Sequence, residues 1–176
     1  MEIQETGIAG CFVIKPRIFS DKRGYFFESF NAKVFEELTG HKGDFVQDNQ
    51  SFSSYGVIRG LHAQNGEFAQ AKLVRVIKGE VLDVVVDARK NSETYGKHFS
   101  VRLNEENQHQ LYVPRGFLHG FAVLSETAIF SYKCDNYYKK EAEIGYRFDS
   151  PSLEIDWMIP QGDQLVSEKD MELPIF

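Results

Sequence analysis

The chain has 176 residues, 42% of them hydrophobic and 26% charged, with 15 Phe and 8 Tyr. A length of this order holds one domain with a substantial core, and the composition is that of a globular protein, not a disordered or fibrous one. The net charge of −6, with no basic stripe, excludes a general nucleic-acid binder but leaves room for a small anionic ligand held by a few arginines.

The opening MEIQETGIAG has no charged-then-apolar leader, and no run approaches the ~18 uninterrupted apolar residues of a membrane span, so the chain is expected in the cytoplasm. Cys11 and Cys134, far apart and without metal-type spacing, fit a reduced protein better than a disulfide framework. GCFVIKPRIF (10–19) alternates loosely up to Pro16, which suits an edge strand or a strand's end. After the turn SDKRG, YFFESFN (25–31) reads as a strand. Asn31 then caps a short helix, AKVFEELTG, with Val34, Phe35 and Leu38 as its apolar stripe and Gly40 as its stop. FVQDNQSFS (45–53) alternates again, and GVIRGLHAQ (56–64) reads as a buried strand. AKLVRVIKGEVLDVVVDAR (71–89) divides into two strands with a hairpin-type break at Lys78-Gly79. KHFSVRL, HQLYVP and AIFSYKC add three short strands, while PRGFLHGF (114–121) is punctuated like a constrained turn. The tail after Pro151 is irregular, with one helical turn in LVSEKDMELP. About ten short strands with little helix predict an all-β fold, an antiparallel sandwich or jelly-roll barrel forming one domain over 1–176. A small barrel of that kind holds one small ligand.

Strand parity selects the candidate residues. Gln47, Asn49 and Ser51 share one face, either a solvent-facing edge or a hydrogen-bonding wall for a polyhydroxylated ligand. Lys72 shares a face with Val74 and Val76. A lysine pointing at a core is costly unless paired or used, although one at a strand end also snorkels. Tyr132 shares a face with Phe130 and Cys134, as a core tyrosine would. Strict alternation puts Arg59 and His62 on opposite faces, and Gly60 between them permits a bulge that re-aims one. His119 is the second histidine, but no further His, Asp or Glu is spaced to complete a three-ligand metal site. In SDKRGYFFESF, Arg23 and Glu28 form either a charged hairpin end or, through the guanidinium fork, a phosphate anchor.

QDNQS, GVIRGLHAQ, KLVRVIKGEVLDVVVDAR, PRGFLHGF, SYKCDNYY and SEKD occur in this order. Together they resemble the dTDP-4-dehydrorhamnose 3,5-epimerase family, from about residue 5 to residue 174. The resemblance implies a cupin-type jelly roll, a homodimer, and action on dTDP-4-dehydro-6-deoxy-D-glucose without metal or other cofactor. It implies His62 as base, Asp170 as the partner that orients it, Tyr132 as acid and Lys72 beside the ketone oxygen. Arg23, Arg59 and His119 match the phosphate and sugar contacts, Gln47, Asn49 and Glu28 the pocket lining, and Tyr138 a position stacking on thymine. Phe148 and Ser150 depart from the tryptophan and Asp-Pro often found there, which bears on dimer or tail packing.

Such chemistry suits these residue types. A C–H beside a ketone loses its proton when a base titrating near neutrality meets it and a cation steadies the enolate oxygen. Inversion then needs an acid on the opposite face of the ring. Three rivals remain: an epimerase acting at C3 or C5 alone, a non-catalytic sugar-binding cupin, and a metal-dependent cupin oxygenase.

Overall fold

A computed structural model describes all residues, 1–176. Its strands are β1 (Glu2–Glu5), β2 (Phe12–Lys15), β3 (Phe19–Asp21), β4 (Gly24–Phe26), β5 (Gln47–Ser54), β6 (Val57–Gln64), β7 (Lys72–Lys78), β8 (Glu80–Asp87), β9 (His98–Asn104), β10 (Gln110–Val113), β11 (Phe117–Val123), β12 (Thr127–Cys134), β13 (Glu143–Gly145) and β14 (Leu165–Val166). The helices are α1 (Ala32–Thr39) and α2 (Glu168–Met171). One sheet runs β1-β2-β10-β7-β12-β5 and a second runs β13-β6-β11-β8-β9, all antiparallel, with β14 added parallel to β6. This is the expected antiparallel jelly roll with two short helices.

The two sheets face each other across the main core. Val74, Val76, Leu111 and Phe130 come from one side, Val81, Val85, Phe117 and Phe121 from the other. Each sheet is also covered behind. Leu82, Val84, Val86 and Leu118 pack under the C-terminal segment through Leu153, Trp157 and Ile159. Ile14, Leu73 and Tyr112 pack against Phe35 of α1. That double cover explains why β8 (EVLDVVVD) is buried along nearly its whole length rather than at alternate residues. Helix α1 begins where predicted, with the Asn31 side chain accepting the Val34 N–H at 3.2 Å, and ends at Gly40, whose N–H reaches the Glu36 carbonyl at 2.9 Å. Burying Phe35 contributes roughly 2–3 kcal/mol, enough to fix so short a helix.

Three expectations change. Lys78-Gly79 is not a hairpin: β7 and β8 lie in different sheets, and the chain crosses between them at Gly79. Gly79 has φ +79°, and a Cβ there would lie 2.1 Å from the Thr127 carbonyl oxygen, so only glycine makes the crossing. PRGFLHGF turns only at its start, and residues 117–123 form β11, buried throughout at the centre of the second sheet. Gly116 (φ +85°) serves that opening turn, whereas Gly120 answers close backbone packing. YFFESFN is strand only to Phe26, where β4 closes a small separate hairpin with β3. Phe148 and Ser150 are both buried in tail packing. The Phe148 carbonyl accepts from Trp157 Nε1 at 2.8 Å, and Ser150 Oγ accepts the Phe176 N–H at 3.1 Å. Both cysteines are buried and free, and no helix is long and apolar enough to cross a membrane.

Candidate active site

The conflict between Arg59 and His62 is resolved by a bulge. Across β6 and β11, His119 pairs with His62 and Phe121 with Arg59, so two steps on β11 answer three on β6. The extra residue lets Arg59 and His62 both face inward while Leu61, fully buried, points to the outer core. The bulge depends on Gly60 (φ +123°): a Cβ there would sit 2.6 Å from Gly120 Cα and 2.7 Å from the His119 carbonyl oxygen. Gly120 has no more room, with Arg59 O 2.7 Å from where its Cβ would be.

Opposite this wall stand Lys72 of β7, Tyr132 of β12 and Asn49 of β5, and the gap is a cleft of about 780 Å³ closed on one side by residues 164–170. A smaller compartment of about 310 Å³ shares Asn49, His62, Lys72 and Tyr132 with it and extends to Gln47, Tyr138 and Glu143. His62 and Tyr132 thus come from opposite sheets and meet the same space.

His62 Nε2 lies 2.7 Å from Asp170 Oδ1. Asp170 is delivered by α2, whose N-cap Ser167 accepts the Asp170 N–H at 3.1 Å, and its second oxygen faces the Gly60 N–H at 3.4 Å. Burial raises the Asp170 carboxyl, but His62, the Gly60 N–H and the Ser167 hydroxyl together outweigh it, leaving the group below its ordinary value. His119 also lines the cleft and forms a second such pair. His119 Nε2 sits 3.0 and 3.1 Å from the two oxygens of Asp83, which is wholly buried on the barrel face of β8. Burial pushes the Asp83 carboxyl up, against the pull of His119 and Lys72.

Burial also pulls Lys72 below the ordinary lysine value, with Cys134, Asp83 and Glu143 acting the other way. Its ammonium has no salt bridge and sits 5.8 Å over the Tyr132 ring. The Tyr132 phenol is raised by burial first, then by Cys134 and against Arg59, so it is protonated throughout the neutral range. Arg59 Nε donates to Ser53 Oγ at 3.2 Å. Arg59, Lys72 and Lys169 give the cleft a local positive lining within a net-negative chain, which suits a ligand carrying phosphates.

Seven predicted residues therefore converge on the cleft: His62, Asp170, Tyr132, Lys72, Arg59, His119 and Asn49. Gln47 and Tyr138 line the smaller compartment, where Gln47 Nε2 donates to Asn49 Oδ1 at 3.1 Å and Tyr138 Oη donates to Glu143 Oε2 at 2.6 Å. Arg23 and Glu28 line neither. Arg23 is exposed on the β3–β4 hairpin, 2.6 Å from Asp21, and Glu28 is exposed beyond it. Sequence reading missed Asp83, Glu143 and Lys169, the last two ion-paired to each other. Asp83 was within reach, since it shares a face with Val81 and Val85, the same parity that singles out Lys72. No comparable signal marks Glu143.

The profile of one family, dTDP-4-dehydrorhamnose 3,5-epimerase, matches residues 5–176. The chain is similar to the dTDP-4-dehydrorhamnose 3,5-epimerase of Shigella flexneri, 50% identical over 97% of this chain and 93% of that one. In structure it resembles the crystallised dTDP-4-dehydrorhamnose 3,5-epimerase of Elizabethkingia anophelis, with a TM-score of 0.97, 57% identity, and coverage of 100% of this chain and 96% of that one. It is also close in shape to the dTDP-6-deoxy-D-glucose-3,5-epimerase of Legionella pneumophila, solved in complex with dTDP-4-keto-L-rhamnose. The TM-score there is 0.95, with 46% identity over 99% of this chain and 92% of that one.

Proposed function

The chain belongs to the dTDP-4-dehydrorhamnose 3,5-epimerase family and is an isomerase; on that premise we propose that it inverts C3 and C5 of the sugar in dTDP-4-dehydro-6-deoxy-D-glucose, giving dTDP-4-dehydro-L-rhamnose. The observation that carries this reading is the approach of His62 and Tyr132 to one cleft from opposing sheets. His62 takes the proton from the carbon beside the C4 ketone, and the C–H electron pair moves onto the ketone oxygen as an enolate. Lys72 faces that oxygen with its charge, in a site dry enough for one such donor to contribute roughly 3 kcal/mol. The Tyr132 phenol then gives its proton to the opposite face of the carbon and the ketone re-forms. Asp170 holds the imidazole with the proton placed correctly and steadies it when charged. Since C3 and C5 both flank C4, the same pair serves both after a tilt of the ring.

Arg59 and His119 hold the diphosphate and sugar, Gln47 and Asn49 line the pocket, and Tyr138 stacks on the thymine. The single domain works as a homodimer. Arg23, on a hairpin whose Phe26 is 70% exposed, and Glu28 just beyond it are remote from their own cleft and act in the partner's. The test is the Tyr132→Phe protein incubated with substrate in heavy water and followed by NMR. Solvent deuterium should still enter the sugar while inverted product falls ~10²-fold or more. Exchange lost in parallel with product would refute the two-wall assignment. In the unaltered protein label is expected at both C3 and C5, and label at one carbon alone would establish the single-position reading.

A further inference from the structure

The stretch SYKCDNYY supplies Tyr132 and Tyr138 to the proposed chemistry, yet its central polar residues, Asp135 and Asn136, line neither compartment of the site. They reach into the connection between β6 and β7, residues 65–71, which joins the strand of His62 to the strand of Lys72. Asp135 Oδ1 accepts the Ala71 N–H at 2.6 Å, and the Asp135 N–H donates to the Ala71 carbonyl at 3.1 Å. The other carboxylate oxygen is held by Arg115 Nε at 2.9 Å. Asn136 Nδ2 donates to the carbonyls of Glu67 at 2.9 Å and Ala69 at 3.4 Å, while its own backbone carbonyl accepts from Gln70 Nε2 at 2.7 Å.

These contacts end one residue short of Lys72, whose cross-strand neighbour is Cys134. Val113 of β10 pairs with Lys72 on the other side, and its ammonium forms no ion pair and meets only the Tyr132 ring at 5.8 Å, so its place is set chiefly by its backbone. A long flexible side chain rooted in a loose strand end would not hold its charge over one oxygen, and an error of about 1 Å in such a group costs up to ~10²-fold in rate. We propose that Asp135 and Asn136 are positioning residues that lock the start of β7 to the end of β12 and so set Lys72 against Tyr132 on the adjoining strand. This rests on the reading of Lys72 as the cation facing the enolate oxygen.

The test is a double-mutant cycle on kcat and KM with Asp135→Ala, Lys72→Met and the double variant, beside Asp135→Asn, which keeps an oxygen for the Ala71 N–H. Asp135→Ala should lower kcat about 10-fold with KM within about 2-fold, and Asp135→Asn should recover kcat to within about 3-fold of the unaltered protein. Added to Lys72→Met, Asp135→Ala should cost less than about 2-fold further, because the group it positions is already gone. An equal loss in both backgrounds, or no loss in the first, would overturn the proposal. Should Asp135→Ala fail to fold, Asn136→Ala takes its place in the cycle, where a loss confined to the Lys72 background supports the role and an equal loss in both overturns it. A Lys72→Met protein with undiminished kcat would instead remove Lys72 from the chemistry, a distinct failure that takes the positioning role with it.

Discussion

Two histidine–aspartate pairs stand directly opposite one another across β6 and β11, and they differ in what surrounds the carboxylate. Asp170 comes from a four-residue helix at the rim of the cleft and is met by His62, by the Gly60 N–H and by its own N-cap. Asp83 comes from the middle of a strand, wholly buried, and His119 is its one hydrogen-bonding partner. Burial acts on both carboxyls. Several donors reverse it at Asp170, and a single partner does not at Asp83. Both imidazoles line the cleft, so the same residue types yield one pair whose carboxylate is held at the rim by several groups and another whose carboxylate is buried with a single partner.

The sharpest way to break this contrast is to remove each imidazole. His62→Ala should lower kcat by about 10³-fold or more, the range for a lost general base, whereas His119→Ala should act mainly on KM, by about 10-fold. Equal kcat losses measured in steady state would erase the distinction. A smaller effect is expected beside the first pair. Arg59→Ala should raise KM about 10-fold with kcat changed less than about 3-fold, since a remote anchor binds substrate and transition state alike. A change confined to kcat would contradict that.

The least effect is in stability, and here the two carboxyls carry opposite signs. Asp170 lies below its ordinary 3.8 in the folded protein, so its stabilisation is complete above that value and lost as pH falls through the lower folded value. Asp83 lies above 3.8, so its charged form burdens the fold near neutrality and acidification relieves the burden before 3.8 is reached. Thermal melts across this range should show Asp83→Asn losing stability more steeply than the unaltered protein on the way down to about pH 4. Asp170→Asn should lose it less steeply below that point, with about 2–4 °C for each kcal/mol of linkage. Parallel curves for all three proteins would remove the contrast.

Much of this was legible in the sequence. The caps of α1, the strand positions and the faces that Lys72 and Tyr132 share with core residues follow from local periodicity, whereas the Asn49 face, polar on every second residue, reads equally as an outer edge or an inner wall. What periodicity does not encode is which sheet a strand joins. Hence Gly79 reads as a hairpin although it is a crossing, and GFLHGF reads as a turn although it is a strand whose Gly120 makes room for a neighbouring backbone. The placement of Arg59 beside His62 needs a bulge whose register is set by β11, far away in sequence. Arg23 and Glu28 stand out in the sequence as a charged turn and its neighbour, and no pattern within one chain says that both stand clear of the cleft.

The contact between Gly60 and Gly120 has a design consequence. Where two main chains touch without intervening side chains, the spacing of the base from its neighbouring arginine is written in the backbone and offers no side chain to tune. Elsewhere the cavity wall includes side chains outside the proposed chemistry, such as Val57, Gln164 and Val166. An engineer can therefore recut that perimeter by changes that keep apolar bulk at Val57 and Val166, which also pack on the core, while the spacing set by the two glycines keeps its dimensions.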